Sequence, residues 1–134
     1  MAHVCSELRI GWVITLAQKV RSSIKIVLLN NKKELLLLFT DDKSIKSQDG
    51  KYNGGFYQLV GGKIEEGETV IKAAKRELFE ETGLGESDVT FGPIVWYGDL
   101  KLELHGELTH INQRFILAKT IKSEVTLNNL TAEE

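Results

Sequence analysis

Two neighbouring stretches concentrate the ionisable chemistry of this chain: Gly62-Lys63-Ile64-Glu65-Glu66-Gly67-Glu68, then Arg76-Glu77-Leu78-Phe79-Glu80-Glu81-Thr82-Gly83-Leu84. Together they hold Glu65, Glu66, Glu68, Glu77, Glu80 and Glu81, six of the chain's 19 acidic residues. The first three stand in a glycine-punctuated turn and the last three on a predicted helix. At the helical period, Glu77, Glu80 and Glu81 (i, i+3, i+4) share one face. Like charges so placed repel by a few tenths of a kcal/mol per pair. An acidic helix face is ordinarily just solvated, but carboxylates grouped this tightly suit a hard cation with oxygen ligands, Mg²⁺ or Mn²⁺.

The spacing is Gly, five residues, Glu, seven residues, Arg-Glu, an aliphatic, one residue, Glu-Glu, one residue, Gly, an aliphatic. It resembles the complete signature of the Nudix hydrolases. Gly62, Glu68, Arg76, Glu77, Leu78, Glu80, Glu81, Gly83 and Leu84 fill every fixed position. So many coincidences are rarely due to chance, and the resemblance outweighs the solvated-face reading. The chain departs from many family members in having Val60 where they carry Pro before the double glycine. Pro would only stiffen that approach.

The resemblance implies a metal-dependent hydrolase of diphosphate linkages. Glu77, Glu80 and Glu81 would hold divalent ions, with a backbone carbonyl at Gly61 or Gly62 as a further ligand. Arg76 would orient a glutamate through a bidentate pair, and Glu68 would serve Arg76 or a metal-bound water. For the general base, Glu103, Glu107 and His110 are candidates. Gln113 stands where related sequences often place a glutamate, which favours Glu77 itself. The catalytic set expected is therefore Glu77, Arg76 and Glu80, and the metal set Glu77, Glu80, Glu81 and Gly62. Tyr57, Lys63 and Arg114 are candidate substrate contacts, and Phe56, Trp96 and Tyr97 could join Tyr57 in stacking a nucleobase. The substrate implied is a nucleoside diphosphate linked to another moiety.

Other chemistries fit less well. Gly61-Gly62-Lys63 is not a phosphate-binding P-loop, because Tyr57 stands where its first Gly should be and Ile64 follows the Lys. His3, His105 and His110 lack zinc spacing, and no serine nucleophile elbow is present. Two readings from other classes are a non-catalytic Nudix domain that only binds a nucleotide, and a prenyl-diphosphate isomerase relative. The first should have lost metal glutamates, and all are present. The second needs a cysteine in the core, and the only one is Cys5.

At 134 residues the chain is expected to form a single Nudix hydrolase domain over 1–134. Its 42% hydrophobic and 27% charged content is that of a globular protein. A net charge of −2 provides no general nucleic-acid footprint. One cysteine cannot form an internal disulfide, which points to a reducing, cytoplasmic setting. The longest apolar run, Leu35–Phe39, is too short to span a bilayer, and the N-terminus lacks a signal-peptide pattern.

Several elements must position these residues. A helix is predicted near residues 6–20. Ile24–Leu29 and Leu35–Phe39, aliphatic throughout, form a hairpin around Asn30-Asn31-Lys32-Lys33 and are covered on both faces. Thr40–Gly55 is an irregular loop expected to border the active site and to be poorly ordered. Phe56–Val60 is a strand leading into a Gly61-Gly62 turn. The signature helix starts at the cap Thr69, ends at Thr82 before a left-handed Gly83, and buries Val70, Ala74 and Leu78. Ile94–Tyr97, Leu100–His105 and Leu108–Lys119 are antiparallel strands, with turns at Gly98-Asp99 and Gly106. The fold expected is α/β, a Nudix-type α/β/α sandwich with a mixed sheet. It would lack the usual C-terminal helix, because Thr131-Ala132-Glu133-Glu134 reads as a helix start with nothing after it. A homodimer is expected to cover the apolar strands so exposed.

Overall fold

A computed structural model describes residues 19–51, 53–122 and 124–127. The elements are β1 (Lys19–Leu29), β2 (Leu37–Thr40), β3 (Ile45–Ser47), β4 (Phe56–Lys63), α1 (Val70–Thr82), β5 (Val89–Leu104) and β6 (Glu107–Thr120). A short 3₁₀ turn spans Glu86–Asp88. The strands form one six-stranded sheet in the order β2-β4-β1-β6-β5-β3. β1 lies parallel to β6 and antiparallel to β4, so the sheet is mixed, as expected.

The core forms where α1 covers the centre of this sheet. Along β1, Ile24, Ile26 and Leu28 are buried at every second position, the period of a strand with one face against a helix. They meet Val60 of β4, Ile116 and Ala118 of β6, and Ala73, Ala74 and Leu78 of α1. The two alanines let the helix backbone approach the sheet closely, while Leu78 supplies bulk. Truncating such a buried leucine typically costs about 2–5 kcal/mol.

The ends of α1 follow local chemistry. The Thr69 side chain accepts the Lys72 N–H at 3.2 Å, and Gly83, at φ 77, donates its N–H to Phe79 O at 2.9 Å. A β-carbon would penalise that left-handed conformation. Beyond β6, Thr126 N–H bonds the carbonyl of Thr82 at 2.8 Å, tacking the chain to the end of α1.

Tertiary pairing changes several expectations. The reversal at residues 30–33 is present: Leu29 bridges Leu35 antiparallel, Asn30 N–H bonds Glu34 O, and Leu36 N–H bonds Leu28 O. The hairpin stops there because β4 lies between β1 and β2. The two are not both covered on two faces, since β2 is an edge strand with Leu37 and Phe39 exposed. Gly61-Gly62 is not a turn; both residues lie inside β4, opposite Lys25 and Ile24. The Gly98-Asp99 turn is likewise absent, because both residues pair with Gln113 and Asn112 in a continuous β5. The Trp96 indole nitrogen lies 3.3 Å from where a Gly98 Cβ would stand, so this glycine serves side-chain packing. The reversal at Gly106 is present: His105 (φ 51) and Gly106 (φ 84) make a two-residue hairpin turn with both central φ values positive.

The Thr40–Gly55 segment is not wholly irregular. Its Ile45–Ser47 pairs with Leu102–Leu104 as β3, and Ser44 Oγ hydrogen-bonds His105 Nδ1 at 2.9 Å. It is thus tied to the β5–β6 hairpin. Of the predicted N-terminal helix, Lys19 and Val20 belong to β1, and residues 6–18 lie outside the described residues. Cys5 and Thr131–Glu134 also lie outside them. Among the described residues there is one α-helix, and no helix is long and apolar enough to cross a membrane.

Candidate active site

Arg76 is the centre of the signature. Its Nε and Nη2 donate to the two carboxylate oxygens of Glu68 at 2.8 and 2.9 Å, a bidentate pair. Nη1 reaches Glu77 Oε1 at 2.8 Å and Glu80 Oε2 at 3.4 Å, and Nη2 also bonds the carbonyl of Lys63 at 2.9 Å. One planar guanidinium thus joins the turn, the end of β4 and the carboxylate face of α1, a geometry that lysine cannot supply. The Arg76 hydrogen bonds hold the Glu68 carboxyl down to about 2. The Arg76 guanidinium is in turn shifted up, first by Glu68 and then by Glu77. Glu68 Oε1 also accepts the Glu65 N–H at 2.9 Å, closing the turn that enters α1.

The glycine pair is held in place by the carboxylates and by β1. Gly61 donates its N–H to Glu81 Oε1 at 2.7 Å. At φ 150, a Cβ on Gly61 would stand 2.0 Å from Ile24 O, so only glycine passes β1 here. A Cβ on Gly62 would stand 2.6 Å from Glu77 Oε1. Glu77 and Glu81 are 5% and 6% exposed, which places two acidic side chains of α1 inside the protein, beneath this strand.

These contacts bear on whether a divalent cation fits. Among the described residues no three acidic, His or Cys side chains converge as a preformed ligand group. Glu77 and Glu80 lean on Arg76, and Glu81 on the Gly61 N–H. The donor types nevertheless fit a hard cation: carboxylate oxygens from three successive positions of one helix face, with side-chain-free backbone against them. Gly62 keeps clear the space that a Cβ would fill against Glu77.

The other predicted residues are scattered. Tyr57 is exposed on β4 and packs edge-to-face against Phe39, ring centroids 5.1 Å apart. Lys63 ends β4, joined to the cluster through its carbonyl. Arg114 lies on β6 between Ile24 of β1 and Tyr97 of β5. Phe56 begins β4, and Trp96 and Tyr97 are exposed on β5. The alternative bases lie toward the tip of the β5–β6 hairpin. Glu107 pairs with Lys19 at 2.6 Å, and His110 Nε2 lies 3.4 Å from Asp99. Glu103 pairs across the ladder with Leu108. From the level of Lys19 to that of Lys25 is about 20 Å along β1 at strand rise.

Sequence reading missed Lys25, Gln58 and Thr40. Lys25 Nζ donates to Gln58 Oε1 at 3.2 Å, and Gln58 Nε2 donates to Thr40 Oγ1. Burial lowers the Lys25 pKa; Glu81 and, less strongly, Glu77 act to raise it. The available signal was a lone lysine inside the aliphatic run Ile24–Leu29.

A family model described as NUDIX domain matches residues 19–127. A curated relative, the oxidized purine nucleoside triphosphate hydrolase of Danio rerio, is 36% identical over 75 residues. That stretch is 56% of this chain and 42% of the relative, so the match spans less than half of that protein's length. Among solved structures, the chain resembles the MutT protein from Methanosarcina mazei Go1 (TM-score 0.64, 23% identity, 84% of this chain and 72% of that one). It also resembles the E. coli dihydroneopterin triphosphate pyrophosphohydrolase (TM-score 0.58, 18% identity, 85% and 80% covered). A C. elegans Ap4A hydrolase is similar at TM-score 0.55, 19% identity, with 82% and 74% covered. At these identities the structural likeness is one of fold.

Proposed function

The chain belongs to the NUDIX domain family, and on that premise we propose that it is a divalent-cation-dependent pyrophosphohydrolase. Its substrate class is a nucleoside diphosphate linked to another moiety, cleaved at the diphosphate linkage. The observation that carries this reading is the Arg76 hub, which gathers Glu68, Glu77 and Glu80 while Glu81 and Gly62 Cα close on the same corner.

Glu77, Glu80 and Glu81, with a backbone oxygen at Gly62, would hold Mg²⁺ or Mn²⁺. The bound ion supplies neutralisation of phosphate oxygens and a lowered pKa for the attacking water. The chain's own residues do the remainder. Arg76 positions the glutamates, because each of its arms ends on a carboxylate or on the Lys63 carbonyl. Glu77 is assigned to accept the proton of the attacking water at its carboxylate. Glu68 locks Arg76 and does not itself touch substrate. Tyr57, Lys63 and Arg114 are assigned to the substrate, with the exposed Tyr57 ring as a stacking surface.

Phosphate or pyrophosphate release from a panel of nucleoside di- and triphosphates and diphosphate-linked nucleosides, with Mg²⁺, tests this. The names of the relatives place nucleoside triphosphates in that panel. Turnover that depends on the metal is expected; tight binding without turnover would favour a non-catalytic nucleotide-binding domain. A reducing, cytoplasmic setting suits the single cysteine. A homodimer is proposed to cover the exposed Leu37 and Phe39 of edge strand β2, which sedimentation at several concentrations would reveal.

A further inference from the structure

We propose that Lys25 is a substrate-binding residue, its ammonium receiving phosphate oxygens beside the glutamates at the end of a hydrogen-bonded row Thr40–Gln58–Lys25. The proposal rests on the hydrolase reading above and adds to Lys63 and Arg114 a cation from β1. Lys25 is not part of the signature, and none of the signature's roles includes it.

Its placement is the first argument. The row crosses three adjacent strands, from β2 through β4 to β1. It ends opposite Gly61, whose N–H is held by Glu81. Lys25 Cα lies 2.9 Å from where a Gly61 Cβ would stand, and the charges of Glu81 and Glu77 act on its ammonium.

The second argument is that Arg76, and not Lys25, is hydrogen-bonded to three of the four acids, Glu68, Glu77 and Glu80, although Glu81 still attracts the Lys25 charge. The Lys25 ammonium donates to the neutral amide oxygen of Gln58, not to a carboxylate. An ammonium has three donors, and this contact uses one. Gln58 is itself fastened through its Nε2 to Thr40, so it aims the ammonium without discharging it.

The third argument is that its position carries a cost. Lys25 alternates with the buried Ile24 and Ile26 and so lies on the other face of β1, where it is half-buried. Desolvation is the largest influence on the group and opposes its charge, with Glu81 pulling the other way. A phosphate oxygen arriving there would give the ammonium a charged hydrogen-bond partner in place of a neutral one. Arg76, the other cation of the cluster, is committed to carboxylates and the Lys63 carbonyl.

The test uses the whole chain with Lys25→Met, Lys25→Arg and Gln58→Leu. Steady-state kinetics with Mg²⁺ on the best substrate of the panel should show KM raised about tenfold or more in Lys25→Met, with kcat within about threefold. Lys25→Arg should recover most of the affinity, Gln58→Leu should lie between, and the melting temperature of Lys25→Met should equal or exceed that of the parent. Unchanged KM with a lower melting temperature or a lower kcat would overturn the proposal and make Lys25 a partner of the glutamates, leaving the hydrolase reading intact. If the parent binds nucleotide without turning it over, the hydrolase reading falls. Equilibrium binding then decides: weakening by Lys25→Met supports the proposal, and equal binding refutes it. A parent that binds none of the panel overturns both.

Discussion

Gly62 and Glu77 occupy one another's space: the carboxylate oxygen that Arg76 grips at 2.8 Å lies 2.6 Å from where a Gly62 Cβ would be. The glycine of the signature is thus required by a side chain fifteen positions away in the same signature, not by a turn. Substituting the three nearby glycines should separate these causes. Gly62→Ala should displace Glu77 and reduce turnover by at least about tenfold, with a modest stability loss of about 1–2 kcal/mol. Gly61→Ala drives a methyl into the Ile24 carbonyl at 2.0 Å and should destabilise by several kcal/mol. Gly67→Ala, at φ 78 with open space around it, should cost only about 1 kcal/mol of backbone strain and leave activity intact. Melting curves and initial rates for the three variants provide the check.

Neutralising the carboxylates should remove function and spare the fold. Glu80→Gln and Glu81→Gln are each expected to lower kcat by two or more orders of magnitude, about 3 kcal/mol in barrier. An amide oxygen can still accept the Gly61 N–H, so Glu81→Gln should melt within a few degrees of the parent. Near-normal activity in either variant would remove these residues from the proposed metal set.

The Glu68–Arg76 pair predicts a specific acid sensitivity. Glu68 is depressed from 4.5 to about 2, so its contribution is complete above about 4.5 and disappears as the pH falls toward 2. Glu68→Gln should therefore be less stable at neutral pH, by about 1–2 kcal/mol for a charge-assisted pair partly open to water. The two melting curves should converge near pH 2. A constant gap across that window would assign the loss to packing instead.

Chelation should separate chemistry from folding. Arg76 and the Gly61 N–H give the carboxylates partners from within the protein itself. EDTA is thus expected to abolish turnover without lowering the melting temperature of the apoprotein, and added Mg²⁺ to raise it by mass action. Unfolding on chelation would mean that the ion is structural.

Much of the active helix could be read directly, because its determinants are local. Thr69 as cap, Gly83 as left-handed terminator and the 3.6-residue recurrence of Val70, Ala74 and Leu78 each act within a few residues. The carboxylate face follows from the same period, and the His105-Gly106 reversal from turn chemistry alone. Pairing between distant strands carries no such local mark. Nothing in Ile24–Leu29 or Leu35–Phe39 announces that β4 inserts between them, and Gly61-Gly62 and Gly98-Asp99 look like turns until neighbouring strands extend them.

The signature by itself determined the family, the acidic face of α1 and the residue types offered to a cation, since each depends on spacing along one chain segment. Tertiary structure decided which of those carboxylates Arg76 holds, why Gly62 must lack a side chain, and that Lys25 and Gln58 meet across β1 and β4. Those contacts depend on sheet register, which is set by burial of whole strand faces and by no single residue pair.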